Sequence, residues 1–217
     1  LTQQTLILAS ASPRRRELLA LLGLPFTVTT ADVDERPLPG EAPDAMVARL
    51  SREKARAAAA RYHDGWVIAS DTTVVFGGEI LGKPQDTADA ERMLRQMRGR
   101  PHIVYTGLAL LDVKSGRETG AVAATTVWMR DYSDQEISAY VASGDPLDKA
   151  GAYGIQNTSF HPVERLEGCY TSVMGFPLCH LYRLLAEWGG APSEMPVRAC
   201  LSSTGFACRV YEGIISK

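Results

Sequence analysis

The chain predicts an α/β fold built on a mixed β-sheet, and three observations point to it. Short β-branched runs alternate with helical stretches through the first hundred residues. Two long strand-like runs then meet at Lys114-Ser115-Gly116, a hairpin signal that adds antiparallel pairing. The composition, 45% hydrophobic and 22% charged over 217 residues, is that of an ordinary globular chain with enough core to fold without metal or disulfide. Interleaved strands and helices give layers of both kinds around one sheet.

The elements follow in order. Thr5 to Ala9 and Phe26 to Thr30 read as strands, and between them Ser12-Pro13 opens a helix to about Leu22, stopped by Gly23 and Pro25. Arg36 to Pro43 is a proline-rich loop. Asp44 is expected to cap an alanine-rich helix to about Tyr62. Trp66 to Phe76 reads as a buried strand that turns at Gly77-Gly78 into a short strand ending near Leu81, and Asp86 to Met97 as a helix. Ile103 to Val113 and Gly120 to Met129 form the hairpin. Ser133 caps a helix to about Ser143, with Glu136 at the reach-back position of a capping box. Asp145 to Thr158 is a loop, and a final strand and a helix near Val173 to Trp188 close the pattern. This divides the chain into a domain over 1–190 and a tail of uncertain structure over 191–217, in which Tyr211 to Ile215 could add an edge strand.

Charge and cysteine usage narrow the function. The net charge of −2 lacks the basic excess of a protein that grips nucleic acid by its phosphates, so an anionic partner is expected to be small, held in a local basic cleft. No run approaches the roughly 20 apolar residues of a membrane span. Leu1 to Thr5 has no basic leader region, so a secretory signal is not expected. The four cysteines form no C-x-x-C pair, which argues against zinc and for reduced thiols in the cytoplasm. The four histidines share no metal-ligand spacing, and neither G-x-G-x-x-G nor the Walker lysine pattern is present, which excludes dinucleotide-fold and P-loop readings.

Several places are candidates for chemistry. In Ser10-Ala11-Ser12-Pro13-Arg14-Arg15-Arg16 a strand runs into a helix start whose open amides favour an anion. Arginines in a first turn oppose the helix dipole, so phosphate binding explains them better than helix stability does. Lys54 falls on the apolar stripe of Met46, Val47, Leu50, Ala57 and Ala58, where an ammonium either reaches the rim or meets an anion. The chain has five lysines against eighteen arginines, so Lys54 and Lys83 mark places where a compact ammonium is wanted. Asp71 interrupts an apolar strand; it is either the polar turn that ends the strand or an inward acid needing a cation or partner. Glu35 alone reads as a solvated loop acid. In Asp148 to Gln156 two glycines suggest a backbone close to a ligand, and Gln156 offers the donor and acceptor that match a base edge.

In order, Ser10 to Arg15, Glu35, Arg52-Glu53-Lys54, Ser70-Asp71-Thr72-Thr73-Val74, Leu81-Gly82-Lys83-Pro84, Asp148 to Gln156 and Val173-Met174-Gly175-Phe176-Pro177 resemble the Maf family of nucleotide pyrophosphatases, from about residue 5 to 188. Gly154-Ile155-Gln156 is similar to the branch acting on dTTP and UTP rather than the 7-methyl-GTP branch. The resemblance implies an elongated α/β fold with a central nucleotide-binding cleft, a homodimer, and hydrolysis of a nucleoside triphosphate to monophosphate and pyrophosphate with Mg²⁺ or Mn²⁺. It makes Asp71 the general base, places Arg14, Thr72 and Gln156 at specificity positions, and puts Ser10, Arg15, Glu35, Lys54 and Lys83 around the cleft. Glu35 and Asp71 are the expected metal ligands. Ser70 stands where a small apolar residue is commoner. A non-catalytic nucleotide-sensing or division-regulating protein is the alternative of a different class.

Overall fold

The computed structural model describes residues 4–192 and 194–216; Leu1 to Gln3, read above for a leader, and Lys217 lie outside them. Strand β1 (Leu6–Ala9) leads into α1 (Pro13–Ala20), and β2 (Phe26–Thr29) returns parallel to β1. The Ser12 side chain caps α1 by accepting from the Arg15 amide, and Pro13 holds the first helical position. Helix α2 (Pro43–Ala59) follows. It starts two residues earlier than its acid suggests: Ala42 stands at the cap without a side-chain bond, and Asp44 lies inside the first turn, where it complements the helix dipole instead.

Strand β3 (Trp66–Phe76) organises the rest. It runs parallel to β1 over Trp66–Ala69, antiparallel to β4 (Glu79–Leu81) over Val74–Phe76, and antiparallel to β5 (Pro101–Asp112) along nearly its whole length. Both β1 and β4 lie on the side away from β5, so residues 70–73 have no strand neighbour there. The sheet has a gap at that point, just beyond the carboxyl end of β1, where open α/β sheets bind ligands. Helix α3 (Thr87–Met97) joins β4 to β5, and β6 (Glu118–Met129) completes the hairpin. After the capping box of Ser133 and Glu136 comes α4 (Asp134–Ala142), then two short 3-10 turns, Asp145–Asp148 and Ala150–Ala152. Strand β7 (Val163–Glu167) is the far edge of an order β2-β1-β3-β5-β6-β7.

Alternation along β3 assigns its side chains to faces. Val67 and Ala69 pack with Ala55 and Ala58 of α2, whereas Ile68 packs with Leu18, Leu19 and Phe176 on the other side. At the far end Val74 enters a separate core with Met93, Leu94, Val104, Tyr132 and Tyr153. The stretch Ser70 to Thr73, buried except for the half-buried Thr72, therefore lies between apolar cores, at the gap. Gly107 of β5 faces Asp71 in register, and a Cβ there would lie 2.2 Å from the Val47 carbonyl oxygen. Its lack of a side chain lets α2 lie directly on the sheet.

The chain continues through α5 (Tyr170–Val173) and α6 (Leu178–Glu187) into α7 (Val197–Thr204) and α8 (Tyr211–Ile215). Tyr211 to Ile215 is thus a helix, not an edge strand: so short an apolar run does not distinguish the two, and contact with α6 decides it. Cys200 of α7 joins the core of Leu178, Leu181 and Leu185, so residues beyond 190 help cover α6.

Candidate active site

A cleft of about 420 Å³ opens at the gap in the sheet. Ser10, Arg14, Arg15, Glu35, Lys54, Asp71, Thr72, Lys83 and Gln156, drawn from six separate stretches of the chain, all line it. Arg16, the third arginine of the first turn, is exposed and outside it. A wider groove of about 680 Å³ along β4 and α3 shares only Lys83 with the cleft among these residues.

Asp71 points to the α2 face of β3, as its odd position requires, and is 7% exposed. It lies in mid-strand, so the polar-turn reading falls away. Lys54, also buried, donates from Nζ to Asp71 Oδ1 at 2.6 Å, and the same Nζ lies 2.6 Å from Glu35 Oε1. The ammonium on the apolar stripe thus meets two carboxylates, which is how a buried charge is made tolerable. Partial burial alone pushes the Glu35 carboxyl up, but the hydrogen bond and charge of Lys54, with Lys83 and Arg15 nearby, outweigh it and hold its pKa below the usual range.

The other face of β3 is organised by Arg15. Its guanidinium donates from Nη1 to the Ser70 carbonyl at 2.5 Å, from Nε to the Gly175 carbonyl at 3.0 Å and from Nη2 to Thr72 Oγ1 at 3.3 Å. Burial lowers its pKa, and Asp71 works against that shift. Three of its five donors are therefore held by the protein, more than the bare phosphate-binding reading anticipates. The Ser70 hydroxyl lies 2.9 Å from the Gly107 carbonyl oxygen and 2.8 Å from that of Gly175, tying β3 to its neighbours beside Asp71. Thr72 Oγ1 also meets Thr106 Oγ1 at 3.1 Å.

The opposite wall carries Tyr153, Gly154, Gln156, Asp148 and Lys149. Arg14 Nη1 lies 3.5 Å from Asp148 Oδ2, joining helix α1 to that wall. Five cationic side chains of the cleft face three carboxylates, so it is electropositive although the chain carries −2. Asp148 and Lys149 were quoted in a motif above without a role. The scarcity of lysine that marked positions 54 and 83 marks 149 as well. Their partners Asp145 and Tyr140 had no comparable signal.

None of the four histidines lines the cleft. Behind its wall His102 Nε2 and Tyr153 Oη share a hydrogen bond of 2.7 Å, and burial pushes the imidazole pKa down to about 4.

Among the described residues no three His, Cys, Asp or Glu side chains form a ready metal cage. Mg²⁺ is commonly bound by only one or two carboxylates together with substrate phosphates, and Glu35 with Asp71 is such a donor set. Their two oxygens, each bonded to one ammonium, lie within about 5 Å of each other.

Known proteins match the stretch of chain that builds this cleft. The family described as "Maf-like protein" matches residues 5–188. A dTTP/UTP pyrophosphatase of Geobacter sulfurreducens is 50% identical over 184 residues, covering 85% of this chain and 96% of that protein. One of Myxococcus xanthus is 51% identical over 198 residues, 91% of this chain and 97% of its own length. One of Methanosarcina barkeri is 46% identical over 185 residues, with 85% and 94% covered.

Proposed function

The chain belongs to the Maf-like protein family, and on that footing we propose that it is a nucleoside triphosphate pyrophosphatase that converts dTTP and UTP to the monophosphate and pyrophosphate in this cleft. The observation that carries the reading is the Glu35–Lys54–Asp71 cluster, in which a buried lysine and a buried aspartate meet an exposed glutamate at the mouth of an electropositive hollow. A site that only holds phosphate has no use for two carboxylates; a hydrolase does.

Lys54 occupies Asp71 Oδ1, which leaves Oδ2 to take the proton of the attacking water. The water oxygen bonds to the α-phosphorus, the bridging bond from that phosphorus to the β-phosphate oxygen breaks, and pyrophosphate leaves with the bonding electrons. Arg14, Lys54 and Lys83, with the open amides of α1, offset charge as it moves onto the leaving group. Arg15 spends most of its donors on the backbone at Ser70 and Gly175 and on Thr72, so its main part is to hold the catalytic strand in place. A divalent cation held by Glu35 and Asp71 would add neutralising charge at the phosphoryl oxygens. Gln156 and Thr72 read the O4 and N3–H edge of thymine or uracil. Cytosine reverses that pattern, so CTP is the poorer substrate. Four free thiols suit a reducing compartment, the cytoplasm, and the family resemblance supports a homodimer.

Turnover of dTTP in ¹⁸O-enriched water tests the reaction. Label is expected in the monophosphate; label in the pyrophosphate, or nucleotide binding without any release, contradicts it.

A further inference from the structure

The wall that carries Gln156 has a charged support of its own, and it points to Lys149. This side chain is 7% exposed, and its Nζ is surrounded by acceptors: the Asp145 carbonyl oxygen, Asp145 Oδ1 at 3.0 Å and Asp148 Oδ1 at 2.7 Å. Asp145 is in turn held by Tyr140, whose hydroxyl donates to Oδ2 at 2.7 Å and accepts from the Gly154 amide at 3.0 Å. Asn157 donates to the same oxygen at 3.2 Å. The loop is thus bound at both its ends to one carboxylate.

The aliphatic stem matters as much as the charge. A Cβ on Gly154 would lie 3.0 Å from Lys149 Cε and 3.1 Å from Gln156 Nε2. The lysine stem and the Gln156 amide therefore flank the same glycine, and a side chain there would push on both. Beyond the loop, Asp148 divides its two oxygens between Lys149 and Arg14. A continuous chain of polar contacts runs from the floor of this wall to the arginine-bearing helix across the cleft.

We propose that Lys149 is a positioning residue for base recognition: it fixes the 145–157 loop so that Gln156 faces the cleft. The inference rests on the pyrimidine reading of the site, and it concerns the base end of the nucleotide rather than the phosphates. Lys149 therefore governs affinity for the nucleoside part while leaving the inorganic chain to Lys54 and Lys83.

Lys149→Met keeps the stem and removes the charge. Its binding to the α,β-methylene analogues of dTTP and CTP and to inorganic tripolyphosphate is measured by calorimetry beside the parent protein. The variant is expected to bind the dTTP analogue about tenfold more weakly, to lose most of the preference over the CTP analogue, and to hold tripolyphosphate within about twofold. Unchanged binding of the dTTP analogue overturns the proposal. So does a parallel loss for tripolyphosphate, which a merely structural role would produce. Should the buried substitution prevent folding, Tyr140→Phe, which cuts the link from Asp145 to the Gly154 amide and touches no cation of the cleft, is expected to weaken the dTTP analogue about threefold and to hold tripolyphosphate within about twofold; no change sinks the idea. Parent protein that binds but does not turn over dTTP refutes the activity, while the binding pattern still decides on Lys149.

Discussion

Two lysines on opposite walls of the cleft do the same thing by different means. Lys54 lies between Glu35 and Asp71, and Lys149 between Asp145 and Asp148. The partners of Lys149 are local, one and four residues back along one loop. Those of Lys54 come from a strand and a loop that only the folded sheet brings to α2. A local clamp can hold a loop in shape, whereas a cluster assembled from distant segments exists only when the whole fold does. That contrast fits positioning on one wall and chemistry on the other.

Replacing each lysine separates the two. Lys54→Met leaves Asp71 buried without its counter-charge, and is expected to cost about 3 kcal/mol of stability and to lower kcat/KM about 10³-fold. Urea denaturation and pyrophosphate release measure both. A loss confined to KM would make Lys54 a second positioning residue and erase the distinction.

Acid should reach the base-reading side first. The His102 pKa of about 4 lies below the unfolded value of about 6.5, so the folded state resists a proton that the unfolded chain accepts. The contribution is complete above pH 6.5 and is lost progressively as pH falls towards 4, by about 3 kcal/mol in all. Glu35, whose pKa is lowered by Lys54, holds its charge to lower pH than a free glutamate does. Melting temperature against pH is expected to slope between 6.5 and 4, and the slope to flatten in His102→Gln. A curve that is flat in the parent assigns no such role to His102.

The smallest effect belongs to the hydroxyl beneath the loop. Tyr140→Phe removes the donor to Asp145 and the acceptor of the Gly154 amide, at about 1–2 kcal/mol and a few-fold rise in KM for dTTP with kcat kept. A fall in kcat with steady KM would tie this loop to the chemical step.

Much of this site was legible from residue types in place. A lysine on an apolar stripe and an acid inside an apolar strand were each read two ways, at the rim or on an anion and in a turn or inward, and the fold settles both by pairing them. The capping box at Ser133 and Glu136 and the hairpin turn are local rules and were read locally. The gap between β1 and β4 was not readable, because it arises from which strands share one side of β3. Nor was the use of Arg15 by the Ser70 and Gly175 carbonyls, since backbone acceptors leave no mark in a sequence. Tyr211 to Ile215 failed as a strand because its pattern is too short to carry a period.

The central claim is that Asp71 takes the proton from water in a cleft whose cations bind the triphosphate independently of it. Pyrophosphate release and nucleotide affinity of Asp71→Asn, measured side by side with dTTP, address it directly. Release is expected to fall about 10³-fold while affinity stays within about threefold. Turnover at the parent rate would contradict the account.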